Sequence, residues 1–212
     1  QENENYSHND LQHSKHQLKT NHILRPWTIG FLFLKLLNNV QTCGKPTARE
    51  AQNWLKNYEQ TMKAFTHEQH NDLWQSIASI THLALKSMQS PGTDVINRLE
   101  KEVLEAKTLG FRLPWAFGSL FLSSAYWQTE QEDSALEYFY EAIEFAQANA
   151  LQDILTPIAD LLHPQIRRAN QINKAVLLIS RALEKIEQRH YQKNNRLDHL
   201  SKREMEILKF IN

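Results

Sequence analysis

The sequence predicts an all-α protein built from antiparallel helical hairpins that stack against one another. Only five of its 212 residues are glycine and six are proline. Its apolar residues recur at helical spacing, and no run of alternating β-branched residues is found. The clearest hairpin covers 116–149, where an apolar stripe stops at the polar stretch 128–133 and then resumes. One hairpin cannot bury both of its faces, so further hairpins must pack against it.

Small and aromatic residues in this hairpin stand where two helices must approach closely. The residues that carry the pattern are Leu122, Ser123, Tyr126, Ala135, Phe139 and Ala142. In this order and spacing they resemble the tetratricopeptide repeat, a two-helix unit that stacks into a superhelix. The resemblance implies that the first helices of successive units line a concave groove.

The pattern recurs along the chain at a fixed interval. Segment 146–151 matches segment 106–111 in its small and apolar positions. The same interval toward the C-terminus matches Ala135, Phe139 and Ala142 of the hairpin to Ala175, Ile179 and Ala182. We call this interval the repeat period. It predicts three repeat-like hairpins from about residue 73 to residue 188, with a more divergent hairpin before them.

Local motifs mark where helices begin and end. Residues 47–50 form a capping box, in which a threonine hydroxyl and a glutamate each accept a backbone N–H, and 66–69 repeat the device. Thr93 or Asp94 is expected to cap the next helix. Gly110 is expected to end that helix in the left-handed conformation.

The two ends of the array are less regular. Residues 1–24 are polar and are predicted to be a weakly ordered lead-in, which leaves 25–188 as the repeat domain. The stretch 26–40 is apolar nearly all round. It is expected to form a buried helix that covers the first repeat or packs against a second copy. Pro164 is expected to kink or end a helix in the last repeat, because proline lacks the backbone donor.

The groove that the resemblance implies is expected to be lined by Phe117, Ser124, Trp127, Gln128, Arg167 and Arg168. Trp127 beside polar groups would suit recognition of a peptide or sugar. Packing between repeats is the favoured interpretation of an aromatic residue at helical spacing. The two arginines either bind an anionic ligand or complement a helix C-terminus.

No motif for catalysis is found, and the chain is predicted not to be an enzyme. Cys43 is tied to no histidine or carboxylate by any motif. His13 and His16 stand three residues apart, as do His67 and His70, and each pair could offer two ligands to a metal. Neither pair has a third ligand at a recognisable spacing, so both are interpreted as solvated polar faces. No metal and no cofactor are expected.

Charge and composition exclude several classes of protein. Lys plus Arg equals Asp plus Glu at 24 each, so the chain lacks the basic bias of a nucleic-acid binder. A single cysteine suits a reducing compartment. The longest apolar run, 27–37, is too short to span a bilayer. A cytoplasmic protein without membrane contact is expected. The chain opens at Gln1 without Met, so we interpret it as a piece of a longer protein.

The strongest functional signal lies in residues 200–212, after the polar stretch 189–199 that we interpret as a linker. A capping box there precedes an apolar helix face. The residues concerned are Leu200, Ser201, Arg203, Glu204, Glu206, Ile207, Leu208 and Ile211. They resemble the opening of the LuxR-type helix-turn-helix domain, truncated within its first helix.

This resemblance implies a MalT-like transcription regulator whose helical repeats receive a small-molecule inducer or a protein partner. DNA would be bound by the C-terminal domain of the full-length protein and not by the helical repeats. Such regulators usually carry an ATP-binding module; if one exists here, it lies before Gln1, because the sequence contains no G-x-x-x-x-G-K-[ST] loop. The alternative is a tetratricopeptide adaptor that holds a partner peptide in its groove. A homo-oligomer is compatible with both.

Overall fold

The computed structural model of the protein describes residues 26, 28–63, 72–151, 153–172 and 176–198. Within these ranges the chain forms eight α-helices and a short 3₁₀ helix, Thr156–Ile158. The helices are α1 (28–43), α2 (Ala48–Lys63), α3 (Asp72–Gln89), α4 (Thr93–Thr108), α5 (Arg112–Gln128), α6 (Glu132–Ala148), α7 (His163–Gln171) and α8 (Val176–Asp198). The predicted all-α class is confirmed.

The helices pack as successive antiparallel pairs. α5 packs mainly against α6, its partner in the pair, and against α4 of the preceding pair. α3 contacts α4, α2 and also α5, so the first helices of neighbouring pairs touch each other. Short connections between consecutive helices favour this arrangement. The result is a stack of hairpins, as the repeat period predicted.

The α5–α6 pair forms the centre of the core. The Ser123 hydroxyl donates to the carbonyl of Ala135 at 2.6 Å, and both residues are fully buried. Gln165 of α7 is also fully buried and donates to the carbonyl of Ser123 at 3.2 Å. A side chain larger than serine would separate these helices, which explains why small residues stand at the predicted crossing.

Three helices end in the same hydrogen-bonded turn, at regular intervals along the chain. At the end of α4, the Phe111 N–H donates to the carbonyl of Ala106 at 2.8 Å, and Gly110 has a left-handed φ of 75°. This is a Schellman motif. α5 and α6 end in the same way at Glu130 and Ala150, with φ of 62° and 55°. Two such helices with their turns make up one repeat period of the sequence.

Ala150→Gly is expected to stabilise the protein. A left-handed conformation costs an L-residue roughly 1–2 kcal/mol, whereas the greater backbone entropy that glycine loses on folding offsets about 0.5–1 kcal/mol of the gain. The net increase in the free energy of unfolding should be about 0.5–1 kcal/mol, measured by urea denaturation. Ala148→Gly is the matched control, because Ala148 is the last helical residue of α6 and has no left-handed conformation to relieve, so its replacement should not stabilise. Equal effects of the two substitutions on stability would contradict the left-handed conformation assigned to Ala150.

The predicted N-terminal cap is confirmed for α2 and is wrong for α4. At α2 the Glu50 carboxylate accepts from the Thr47 N–H at 2.8 Å, and the Thr47 hydroxyl accepts from the Glu50 N–H at 3.3 Å. The Thr47 N–H and the Thr47 hydroxyl both donate to the Glu50 carboxylate and lower its pKa, and the reciprocal pair of bonds confirms the capping box. At α4 the N-cap is Gly92, without a side-chain bond, so the prediction of Thr93 or Asp94 as the cap was wrong. Thr93 is already the first helical residue.

The irregular ends of the array differ from expectation in three respects. α1 is buried on one face only, because Phe31 and Leu34 are each 63% exposed. Pro164 lies in the first turn of α7 and therefore opens a helix, since the first turn needs no donor from its nitrogen. The predicted linker 189–199 is helical as far as Asp198, where α8 ends.

Several predictions lie outside the described residues. They concern the lead-in 1–24, the capping box 66–69, Ala175, and the segment 200–212 with every residue of the LuxR-type match. In the part of the chain that the structure covers, no helix has the length and apolar character needed to cross a membrane.

Candidate functional site

α1 packs on the face of the stack that is formed by α3 and α5, the first helices of the second and third pairs. We call this the first-helix face. The ring of Phe33 lies edge-on to Phe117 of α5, with centroids 5.4 Å apart. A Cβ built on Gly30 would lie 3.5 Å from the Trp74 ring of α3, and one built on Gly44 would lie 3.6 Å from Oδ2 of Asp160. α1 and the turn after it therefore touch the second and third helix pairs and the segment that leads into the fourth.

α1 buries too much apolar surface to be displaced easily by a ligand or a partner peptide. Its inward face carries five buried apolar side chains: Ile29, Leu32, Leu36, Leu37 and Val40. Burial of each stabilises by about 1.5–3 kcal/mol, so the face contributes roughly 10 kcal/mol. That is comparable with the whole net stability of a typical domain, about 5–15 kcal/mol. The covered part of the first-helix face is therefore core and not an open groove.

Of the predicted groove residues on α5, Ser124 is buried and Phe117, Trp127 and Gln128 are half-buried. Phe117 packs against Phe33, and Ser124 is only 4% exposed. Gln128 donates to the carbonyl of Ser124 at 3.3 Å, within its own helix. Trp127 is half-buried and packs on the hydrophobic core, in line with the packing interpretation. Each of these four side chains is thus engaged in packing or hydrogen bonding within the protein.

The predicted arginines lie on the surface of α7. Arg167 is exposed. Arg168 is 3.8 Å, Nε to Oε1, from Glu132 of α6, and its guanidinium donates to Gln171 at 3.3 Å. Arg168 thus joins the start of α6 to α7, which is a structural use of its charge. Such an exposed pair contributes about 0–1 kcal/mol.

A different surface forms an open cleft between α2 and α3. The cleft has a volume of about 500 Å³. Its lining residues are Tyr58, Glu59, Met62, Lys63, Gln75, Ala78, Ser79 and His82. This volume falls within the range of small-molecule sites, about 300–1,000 Å³, and the lining combines apolar with polar side chains.

Three bonds and contacts fix the inner wall of this cleft. His82 Nε2 lies 3.0 Å from Glu59 Oε1. A carboxylate only accepts, so this hydrogen bond belongs to the tautomer of His82 that has its proton on Nε2. The Tyr58 ring stacks on the His82 ring at 5.7 Å and 13°, and the Tyr58 hydroxyl donates to the carbonyl of Ala78 at 2.8 Å. The side chains of His82 and Glu59 remain 28% and 45% exposed, so a ligand can reach both.

The cleft is connected electrostatically to α4. Burial raises the pKa of Glu102, and the nearby Glu105 carboxylate adds to the rise. A hydrogen bond with Ser79, one of the cleft residues, opposes it. Ser79 therefore links the cleft to a partly desolvated carboxyl of the next helix.

A second polar cluster, at the junction of α4, α5 and α6, is structural. The rings of Tyr126 and Tyr138 stack at 5.8 Å and 12°, and the Tyr138 hydroxyl donates to Glu100 at 2.5 Å. Burial, with the charge of Glu100, raises the pKa of Tyr126 to about 12, and burial also raises the pKa of Tyr138. Both phenols stay neutral at physiological pH and clamp three helices together.

The structure adds no metal site to the cleft. Among the described residues, His, Cys, Asp and Glu side chains do not form a group of three or more that could hold a metal ion. The paired histidines 13/16 and 67/70 lie outside those residues. Cys43 is an exposed free thiol. Comparison of the chain with protein-family models, curated proteins and solved structures gave no match.

The sequence contains only a faint signal for the cleft. His82 stands within the apolar pattern of α3, and Glu59 follows the buried Tyr58 on α2. Helical spacing assigns each residue to a face of its own helix. The meeting of Glu59 with His82 depends on how far α2 slides along α3, which neither helix specifies alone.

Proposed function

We propose that the chain is the signal-receiving helical-repeat domain of a LuxR-type, MalT-like transcription regulator in the cytoplasm. The observation that supports a receiving role best is the open α2–α3 cleft, which has a volume of about 500 Å³. Residues 200–212 supply the resemblance to the DNA-binding domain. The repeat domain itself binds a small molecule, and DNA is bound by the C-terminal domain of the full-length protein.

The covered first-helix face weighs against the adaptor alternative. A peptide adaptor needs an open groove, whereas Phe33 packs on Phe117 and Ser124 is buried. A partner peptide would have to replace the apolar contacts of α1, whose burial is worth roughly 10 kcal/mol. A cleft that is already formed needs no such rearrangement.

The effector acts by shifting a balance between two states. It changes DNA binding only if its affinity differs between the inactive and the DNA-competent conformations. α8 is continuous as far as Asp198 and is the described helix that precedes residues 200–212 in the sequence, so it is the element that would carry the change.

The regulatory role is tested in the natural polypeptide that contains this chain. DNA binding is measured by fluorescence anisotropy with and without deletion of residues 28–198, in extracts of cell metabolites and in buffer. We expect that the extract alters DNA binding of the intact polypeptide and has no effect after the deletion. Unchanged DNA binding and unchanged regulation after the deletion would overturn the proposal.

A further inference from the structure

The acidic and the basic residue of the α2–α3 cleft lie toward opposite ends of it. Glu59 and His82 form one end, where the carboxylate keeps further acceptor positions beyond the one that faces His82. Lys63 and Gln75 belong to the other end, because Lys63 is the last residue of α2 and Gln75 lies in the first turn of α3. The cleft is thus acidic at one end and basic at the other.

Apolar side chains also line the cleft. Met62 and Ala78 line it, and the Tyr58 ring, fixed by its bond to the Ala78 carbonyl and its stacking on His82, forms one wall. A thioether and an aromatic face accept a hydrophobic or planar group without a directional bond. A matching ligand therefore has two opposite charges and an apolar body.

The spacing of the charges distinguishes among zwitterions. Glu59 and Lys63 are four residues apart on α2, so their backbone positions are about 6 Å apart along the helix axis and their side chains extend into the cleft from there. In a free α-amino acid the two charged groups are attached to the same carbon and lie much closer together. Two extended residues span about 7 Å, so a dipeptide is long enough to bring its two termini to these two side chains.

We propose that the α2–α3 cleft binds a dipeptide-sized zwitterion, with its ammonium at Glu59, its carboxylate at Lys63 and its apolar side chain against Met62 and Tyr58. This inference rests on the proposed receiving role and gives it a ligand class. His82 is a positioning residue, since it holds the Glu59 carboxylate toward the cleft.

The test is isothermal titration calorimetry of the whole 212-residue chain with Gly-Phe and Ala-Leu. Both dipeptides should bind. Glu59→Gln and Lys63→Met should each weaken binding at least tenfold, whereas Lys56→Met, at an exposed lysine on the same helix, should leave it unchanged. N-acetylation or C-amidation of Gly-Phe should also weaken binding at least tenfold, because each removes one charge.

The outcomes separate this inference from the proposed function. Circular dichroism establishes that each variant is folded. Absence of binding at millimolar dipeptide, equal binding of free phenylalanine, or affinity unchanged in both charge variants would overturn the dipeptide site. A metabolite that binds the chain but ignores these variants would overturn the site while leaving a receiving role intact.

Discussion

Replacement of Phe139 by alanine is expected to lower the free energy of unfolding by about 3–5 kcal/mol. Phe139 is fully buried on α6, where the helix faces α5 at the centre of the stack. Its removal loses the transfer free energy of a phenyl ring and leaves a cavity that close-packed neighbours cannot fill. Urea denaturation followed by circular dichroism gives the difference directly.

Phe31→Ala is the matched control for this substitution. Phe31 is 63% exposed on α1, so its truncation should change stability by no more than about 0.5 kcal/mol. A loss below about 1 kcal/mol at position 139, or equal losses at positions 31 and 139, would contradict the placement of the core between α5 and α6.

Gly118→Ala is expected to destabilise the protein by about 1–3 kcal/mol, although alanine is the better helix former. A Cβ built on Gly118 would lie 2.7 Å from Cγ2 of Val103 and 3.3 Å from Cδ1 of Ile80. Val103 is β-branched and stiff at χ1, so it cannot turn aside cheaply. Gly118 therefore permits the close approach of α5 to both helices of the preceding pair.

Gly30→Ala, on α1, is expected to stabilise the protein instead. A Cβ there would meet the Trp74 ring at an ordinary contact distance of 3.5 Å. The helix propensity of alanine should then stabilise α1 by about 0.5–1 kcal/mol.

A double-mutant cycle tests the steric explanation for Gly118. Val103→Ala should reduce the loss caused by Gly118→Ala, because it removes the clash. Additive effects of these two changes would refute the steric explanation.

The repeat architecture is predictable because it is specified locally. The small residues at Ser123 and Ala135 indicate where α5 and α6 cross, and the hydroxyl-to-carbonyl bond between them confirms it. The repeat period reflects the left-handed turns that recur at Gly110, Glu130 and Ala150. Each of these features depends on residues close in sequence or on one pair of helices.

The features that sequence reasoning missed depend on longer-range contacts or on neighbouring structure. The contact of Phe33 with Phe117 joins the first helix pair to the third, so the pattern of α5 alone suggested an open groove. Pro164 was expected to disrupt a helix, but the 3₁₀ turn before it lets α7 begin late enough to accommodate it. Residues 189–198 lack an apolar stripe, and there the helix continues from the packed first half of α8.

The most direct test of the receiving role is a thermal-shift screen of the chain against small metabolites, including dipeptides. A ligand at about a hundred times its dissociation constant adds about 2.7 kcal/mol of stability, which corresponds to roughly 5–10 °C for a chain of this size. We expect such a compound, with its effect lost in Met62→Trp, which fills the cleft, and retained in Trp127→Ala. Absence of any stabilising small molecule, or a shift that Trp127→Ala abolishes and Met62→Trp preserves, would contradict a receiving role for the α2–α3 cleft.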